Sequence, residues 1–183
     1  RVKKACSMPG SGRGNTSTAQ VGLELKQIVQ HMLEREYPEC LLVSGRSSAG
    51  SGSSKSNGEV KRDEKYKEPN FASSEEIIAM LRQASHRFAT LMAEWIRVGY
   101  CQGNFNSDNC LVGGRTMDYG PFGFVEKFEP LWNMWVGGGD HFGFLNQPVA
   151  GQKNWVILAE SIAVLVQGDP SLTAKVQTLA EDY

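Results

Sequence analysis

Apolar side chains recur with helical spacing in three stretches of this chain. Val21, Leu25, Ile28 and Met32 follow one another at four-three-four spacing, which predicts an amphipathic helix ending near Glu36 and stopped by Pro38. A stronger pattern runs through Ile77, Leu81, Ala84, Phe88, Leu91, Trp95 and Val98, and Ser73 with Glu76 has the form of a capping box at its start. It predicts a core helix of about seven turns that Gly99 closes. A third stretch begins at Gln152, sets Trp155, Leu158, Ala159, Ile162, Leu165 and Val166 on one side, and ends at Gly168-Asp169-Pro170. A shorter helix is expected to close the chain.

Between these helices the pattern changes. Cys110-Leu111-Val112 and Arg115-Thr116-Met117 flank Gly113-Gly114, which predicts two short strands joined by a tight turn. From Tyr119 to Trp135, and through the Gly137-Gly138-Gly139 turn, no clean period survives, so ordered irregular structure is expected. Residues 44–70 differ from everything else: a Ser/Gly-rich run passes into the charged stretch Glu59 to Glu68, with almost no apolar side chain to offset the entropy of ordering. The predicted organisation is therefore a loop and first helix over 1–43, a disordered surface insertion over 44–70, and a segment over 71–183 that carries the chemistry. The fold class is mainly α with a small β-hairpin, α+β.

Composition narrows the function classes. At 183 residues with 40% hydrophobic and 21% charged side chains, the chain has the size and balance of one domain with a real core. A net charge of -1 and a pI near 6.4 provide no basic field, so no nucleic-acid partner is expected. Cys6, Cys40, Cys101 and Cys110 lack CxxC spacing and read as buried free thiols. No apolar run has the length of a spanning helix, so no membrane partner is expected either. His31, His86 and His141 show no ligand spacing, and the basic residues Lys61, Arg62, Lys65 and Lys67 alternate with acids as in a solvated linker.

The chemistry concentrates just after the long helix. Asn106-Ser107-Asp108-Asn109 puts a carboxylate beside an amide, and ten residues beyond Asp108 a second carboxylate, Asp118, opens Asp118-Tyr119-Gly120-Pro121-Phe122-Gly123-Phe124. The intervening hairpin is expected to fold Asp118 back beside Asn109. Two carboxylates and an amide oxygen are hard donors that suit magnesium or manganese rather than zinc, and such a cation points to a nucleotide.

Helix, loop with Asn, hairpin, then Asp-Tyr-Gly resembles the catalytic segment of the protein-kinase fold, in which a loop Asn and the Asp of an Asp-Phe-Gly motif hold the metal on the nucleotide phosphates. The kinase general base lies five residues before that Asn, where this chain has Asn104, and the His that opens the kinase loop is replaced by Gln102. An amide cannot take a proton from a hydroxyl as a carboxylate does, which disfavours ordinary phosphoryl transfer. More narrowly, the chain is similar to the selenoprotein O family, pseudokinases that transfer AMP rather than phosphate to protein hydroxyls. The similarity rests on Arg87-Phe88 through Gly99 leading into Asn106-Ser107-Asp108-Asn109, on Thr116-Met117 with the string from Asp118 to Phe124, on Phe144-Leu145-Asn146-Gln147-Pro148, and more loosely on Leu25 through Pro38.

That resemblance implies a kinase-like C-lobe, with Asp108 as general base, Asn109 and Asp118 as metal ligands, and Asp118 also facing the nucleotide. It implies ATP as substrate, Mg2+ or Mn2+ as cofactor, and proteins bearing Ser, Thr or Tyr hydroxyls as partners. The family's common loop carries His and Thr where this sequence has Gln102 and Ser107. The stretch before the first helix offers no strand lysine or helix glutamate of an N-lobe, so the sequence is expected to be a fragment holding the metal-binding half of the site, with little transferase activity alone. A non-catalytic nucleotide-binding scaffold and a conventional kinase are the other readings. The resemblance places a eukaryotic member in mitochondria and a bacterial one in the cytoplasm.

Overall fold

A computed structural model describes residues 18–41, 71–117, 120, 122–135, 139–165, 174–175 and 178–179. Four helices dominate: α1 (Thr18–Glu36), the single turn α2 (Pro38–Leu41), α3 (Ser74–Val98) and α4 (Gln147–Ala163). Two two-residue strands, β1 (Tyr100–Cys101) and β2 (Gly123–Phe124), pair antiparallel with Tyr100 opposite Phe124 and Cys101 opposite Gly123. The architecture is mainly helical with one small strand pair, which agrees with the α+β class, but the pair is not the expected hairpin: β2 falls in the Tyr119–Trp135 segment expected to be irregular. The 44–70 insertion lies outside the described residues. Of the expected closing helix, 174–175 and 178–179 are described and are helical.

α3 forms where its signals place it. Ser73 accepts the backbone N–H of Glu76 at 3.2 Å while the Glu76 carboxylate accepts that of Ser73 at 2.7 Å, so two of the helix's orphan donors are satisfied reciprocally. At the other end Gly99 adopts φ 73°, a left-handed cap that returns its N–H to the last turn. A Cβ there would also approach a Val125 side-chain carbon to 2.9 Å, so both the backbone and the space call for glycine.

The first helix is rotated relative to the sequence expectation. Its buried stripe is Leu25, Val29, Met32 and Leu33, whereas Ile28 is 48% exposed. Both sets satisfy three-four spacing, and adjacent residues differ by about 100° around a helix, so one ambiguous isoleucine shifts the apparent face. Pro38 ends α1 but also begins α2, a position where its missing N–H costs nothing. The third helix starts at Gln147 rather than Gln152. Its first turns bury Gln147, Ala150, Gly151 and Asn154, small or amide side chains that make no apolar stripe. Pro148 in the first turn is the start signal.

Helices α1, α3 and α4 share one core. Leu25, Val29 and Leu33 meet Ile77, Leu81, Ala84 and Phe88 of α3, and Trp155, Ala159 and Ile162 of α4 close the far side. Trp155 is fully buried and its indole N–H donates to the Leu81 carbonyl at 3.1 Å, satisfying the polar edge of a large apolar side chain. A second core continues past the end of α3, where the Trp95 ring lies 4.9 Å from both Tyr100 and Phe105, with Met92, Phe142 and Ala150 around them.

The predicted hairpin is present in reduced form. Its strands shrink to one antiparallel bridge between Cys110 and Thr116, and the Gly113-Gly114 turn lies against α3, with Gly114 at φ 68° and so close to Arg87 that a Cβ would come within 2.6 Å of that residue's Cβ. A polar clamp fixes the turn. The Tyr37 hydroxyl donates to the Val112 carbonyl, Arg87 donates to the Glu36 carbonyl at 2.7 Å and to Glu39 at 2.8 Å, and Arg115 pairs with Glu36 at 2.6 Å. The Arg87 guanidinium also sits 4.3 Å from the centre of the Tyr37 ring.

Burial pushes the Tyr37 phenol up to about 12, against a smaller opposing effect of the Arg87 charge. The unfolded tyrosine ionises near pH 10 and the folded one near 12, so its contribution is intact below pH 10 and is lost as pH rises from 10 to 12. Tyr37→Phe should cost about 0.5–1.5 kcal/mol at neutral pH through the lost hydrogen bond. It should also flatten the decline in stability between pH 10 and 12, which denaturant melts of both proteins across that window would measure.

Candidate functional site

The loop after β1 is built from amides. Asn106 precedes a single 3-10 turn over Ser107–Asn109, and the Asn109 N–H closes it on the Asn106 carbonyl at 3.0 Å. The Asn109 side-chain nitrogen donates to the Asn104 carbonyl at 2.9 Å, which leaves the amide oxygen as the end available to a cation. Asp108 is exposed, between Ser107 and that amide. The structure thus holds Asp108 and Asn109 in one turn, next to each other as in sequence. Asp118, the second carboxylate of the predicted set, lies outside the described residues.

What fixes the turn is a chain of buried side-chain amides reaching back to α4. Gln147, fully buried at the first position of α4, donates to the Tyr100 carbonyl at 2.8 Å and to the Phe144 carbonyl at 3.1 Å, and its oxygen accepts the Gln102 N–H at 2.9 Å. The Gln102 side-chain oxygen in turn accepts the Asn104 N–H at 2.8 Å. Asn104 passes the constraint on: its side-chain oxygen accepts from Asn106 at 2.6 Å and its carbonyl from Asn109. Asn154, one side of α4 further on, donates to the Phe105 carbonyl at 2.8 Å. Every irregular backbone stretch must place its polar groups somewhere, and here four amide side chains receive them.

Sequence reasoning read Gln102 and Asn104 as departures from a kinase loop and missed their structural work. It also left Gln147 and Asn154 out of the site. The available signal was the presence of two polar amides on the inner face of a helix, together with Pro148 marking where that helix begins.

Around the turn, chemistry and packing separate. A cavity of about 640 Å3 opens beside Asp108, walled by Phe88, Cys110, Val112, Met117 and Ile157. Burial pushes the Cys110 thiol up to about 12, so it remains protonated at neutral pH and acts as a wall rather than a nucleophile. The Cys101 thiol is likewise raised by burial, and it donates weakly to the Trp132 and Phe142 carbonyls. Trp95 reaches over to donate its indole N–H to the Thr116 hydroxyl at 3.2 Å, tying α3 to the strand that runs toward Met117. Among the described residues no three His, Cys, Asp or Glu side chains gather, so the oxygen set suggested by the sequence needs Asp118 to be complete. No helix among the described residues is long and apolar enough to cross a membrane.

Comparison with known proteins covers the same segment. The sequence model of the family described as "Protein adenylyltransferase SelO" matches residues 18–183. The chain is 38% identical over 99 residues to the "Protein nucleotidyltransferase YdiU" of Azoarcus sp. (strain BH72), covering 53% of this chain and 19% of that protein. It is 31% identical over 158 residues to the protein of the same description from Variovorax paradoxus (strain S110), covering 85% of this chain and 26% of that one. For the Bordetella pertussis protein (strain Tohama I) the figures are 30% over 154 residues, 82% and 27%. The chain spans about a fifth to a quarter of the length of these curated relatives.

Removing one link of the amide chain should loosen the turn without melting the helices. Gln102→Ala leaves the Asn104 N–H without its acceptor, a local cost of about 1–3 kcal/mol. Hydrogen exchange should accelerate over 104–109 by about tenfold or more while the amides of α3 keep their protection, and unchanged exchange in the loop would contradict this role.

Proposed function

Since the chain belongs to the protein adenylyltransferase SelO family, we propose that it carries the metal-side half of a site that transfers AMP from ATP to protein Ser, Thr or Tyr hydroxyls. The observation that carries this reading is the Ser107–Asn109 turn, where an exposed carboxylate stands beside an amide whose nitrogen is already committed to the Asn104 carbonyl. The order of elements agrees with a kinase-like C-lobe: long helix, amide-rich loop, Gly-Gly turn, the approach to Asp118, then α4.

In this reading the acceptor hydroxyl oxygen attacks the α-phosphorus, the bond from that phosphorus to the pyrophosphate oxygen breaks, and Asp108 takes the hydroxyl proton. Asn109 and Asp118 are hard oxygen donors that fit Mg2+ or Mn2+, which when bound neutralises the phosphates and the departing pyrophosphate. The bond from the Asn109 side-chain nitrogen to the Asn104 carbonyl restrains the amide and supports its oxygen as the ligand end. Asp108 meets the two demands on a base, a carboxylate and open access.

Asn104 bears on the alternative of a conventional kinase. It occupies the place of a kinase base, and its side-chain oxygen, carbonyl and N–H are all engaged in holding the loop, so the position is structural. The deciding measurement uses a full-length chain containing these residues, with α-labelled and γ-labelled ATP in parallel. Label should reach protein from the α position only. Asp118→Ala should reduce transfer by about 100-fold or more, and Asp108→Asn by about 100-fold with ATP binding retained. Label arriving from the γ position, or an unaffected Asp118→Ala, would sink the assignment.

A further inference from the structure

A second cavity adjoins the one beside Asp108 and shares Ser107 with it. It holds about 430 Å3 and is formed by the loop residues Asn106 and Ser107, the segment His141–Phe142 and α4. Ser107, Asn154 and Ile157 line both cavities, so the two meet at the candidate catalytic turn. The volume suits a short peptide stretch rather than a lone ion.

Its lining has a definite polarity. Phe105, Phe142, Val149 and Ile157 provide apolar walls, Lys153 and His141 are the groups able to carry positive charge, and among the described residues no carboxylate lines it. The acid nearest in sequence, Asp140, is exposed beside His141 and does not line the cavity, while Asp108 opens to the neighbouring one. Among the described residues Lys153 makes no ion pair, and it is exposed on α4. A cavity with apolar walls, an exposed and unpaired ammonium in its lining and no competing acid among the described residues fits a side chain with a hydrocarbon stem and a carboxylate end.

We propose that this cavity receives a Glu or Asp side chain of the acceptor protein, close in sequence to the hydroxyl that is modified, with its carboxylate against Lys153. The proposal rests on the AMP-transfer reading above. It makes Lys153 a specificity-determining residue and the substrate class an acidic hydroxyl-bearing segment.

Charge reversal tests it. A full-length chain containing these residues is given α-labelled ATP and synthetic Ser peptides carrying either Glu or Lys at each of the three positions before and after the serine. The unaltered protein should show a KM about tenfold lower for the best Glu peptide than for its Lys counterpart. Lys153→Glu should invert that preference, Lys153→Gln should abolish it, and the KM for ATP should stay unchanged throughout. Equal KM values for the two peptide sets, or a rise in the KM for ATP in Lys153→Glu, overturns the proposal, the latter by assigning Lys153 to the triphosphate. Anisotropy of the same peptides bearing a fluorescent label, without ATP, reads the cavity apart from the chemistry. Glu-selective binding with no label transferred to any peptide removes the AMP-transfer reading and with it the link to an acceptor hydroxyl. Transfer without charge preference removes the acidic pocket and leaves AMP transfer standing.

Discussion

The requirement that buried amides be paired governs this structure more than any single apolar contact. Between β1 and the Cys110–Thr116 bridge the chain makes no regular ladder, yet Gln102 and Phe105 are almost fully buried. An unpaired polar group in such a place costs about 1–3 kcal/mol, and several together would open the loop to solvent. The run from Gln147 through Gln102 to Asn104 lowers that penalty by giving the Tyr100 carbonyl and the Gln102 and Asn104 N–H groups side-chain partners. The turn bearing Asp108 and Asn109 therefore inherits its position from the first residue of α4, which lies well beyond it in sequence.

The helices convert this local order into a fixed frame. α4 packs on α3 through Trp155, and α3 delivers the chain into β1 through the Gly99 cap, so both ends of the amide run are attached to one rigid unit. The hairpin is held from the opposite side. Tyr37, Glu36 and Arg87 grip the Gly113-Gly114 turn, and Gly114 is needed because its φ is left-handed and it lies directly on the Arg87 backbone and Cβ. Trp95 adds a third attachment at Thr116. A stretch leading to Met117 thus has anchors on α1 and α3, the kind of support that preorganised catalytic groups need from their surroundings.

How much of this was legible in the sequence depended on whether a signal was local. The capping box at Ser73 and Glu76 and the αL glycine at 99 are written into adjacent residues, and both appear as expected. The phase of α1 was not, because Ile28 and Val29 each complete a three-four pattern and only packing against α3 chooses Val29. Two-residue strands such as Gly123–Phe124 are too short to show a period at all. In the candidate site the pairing of Asp108 with Asn109 was readable since they are neighbours. The partners that orient them were not, since Gln102, Gln147 and Asn154 act through bonds spanning up to 49 residues. Residue type alone marks such amides as polar without saying which backbone group they will meet.

The same constraint explains why chemistry and rigidity occupy different side chains here. Asn104 occupies the position a kinase comparison gives to the base, but its side chain is an amide that takes up no proton, and three of its polar groups shape the loop. Cys110, half-buried beside the same cavity with its thiol pushed up to about 12, is equally removed from proton or nucleophile chemistry. Asp108 differs from both in being exposed at the crest of the turn, supported through the backbone of its neighbours rather than by its own carboxylate. A loop whose interior is taken up by amide hydrogen bonds leaves its candidate functional groups at the rim, exposed to solvent.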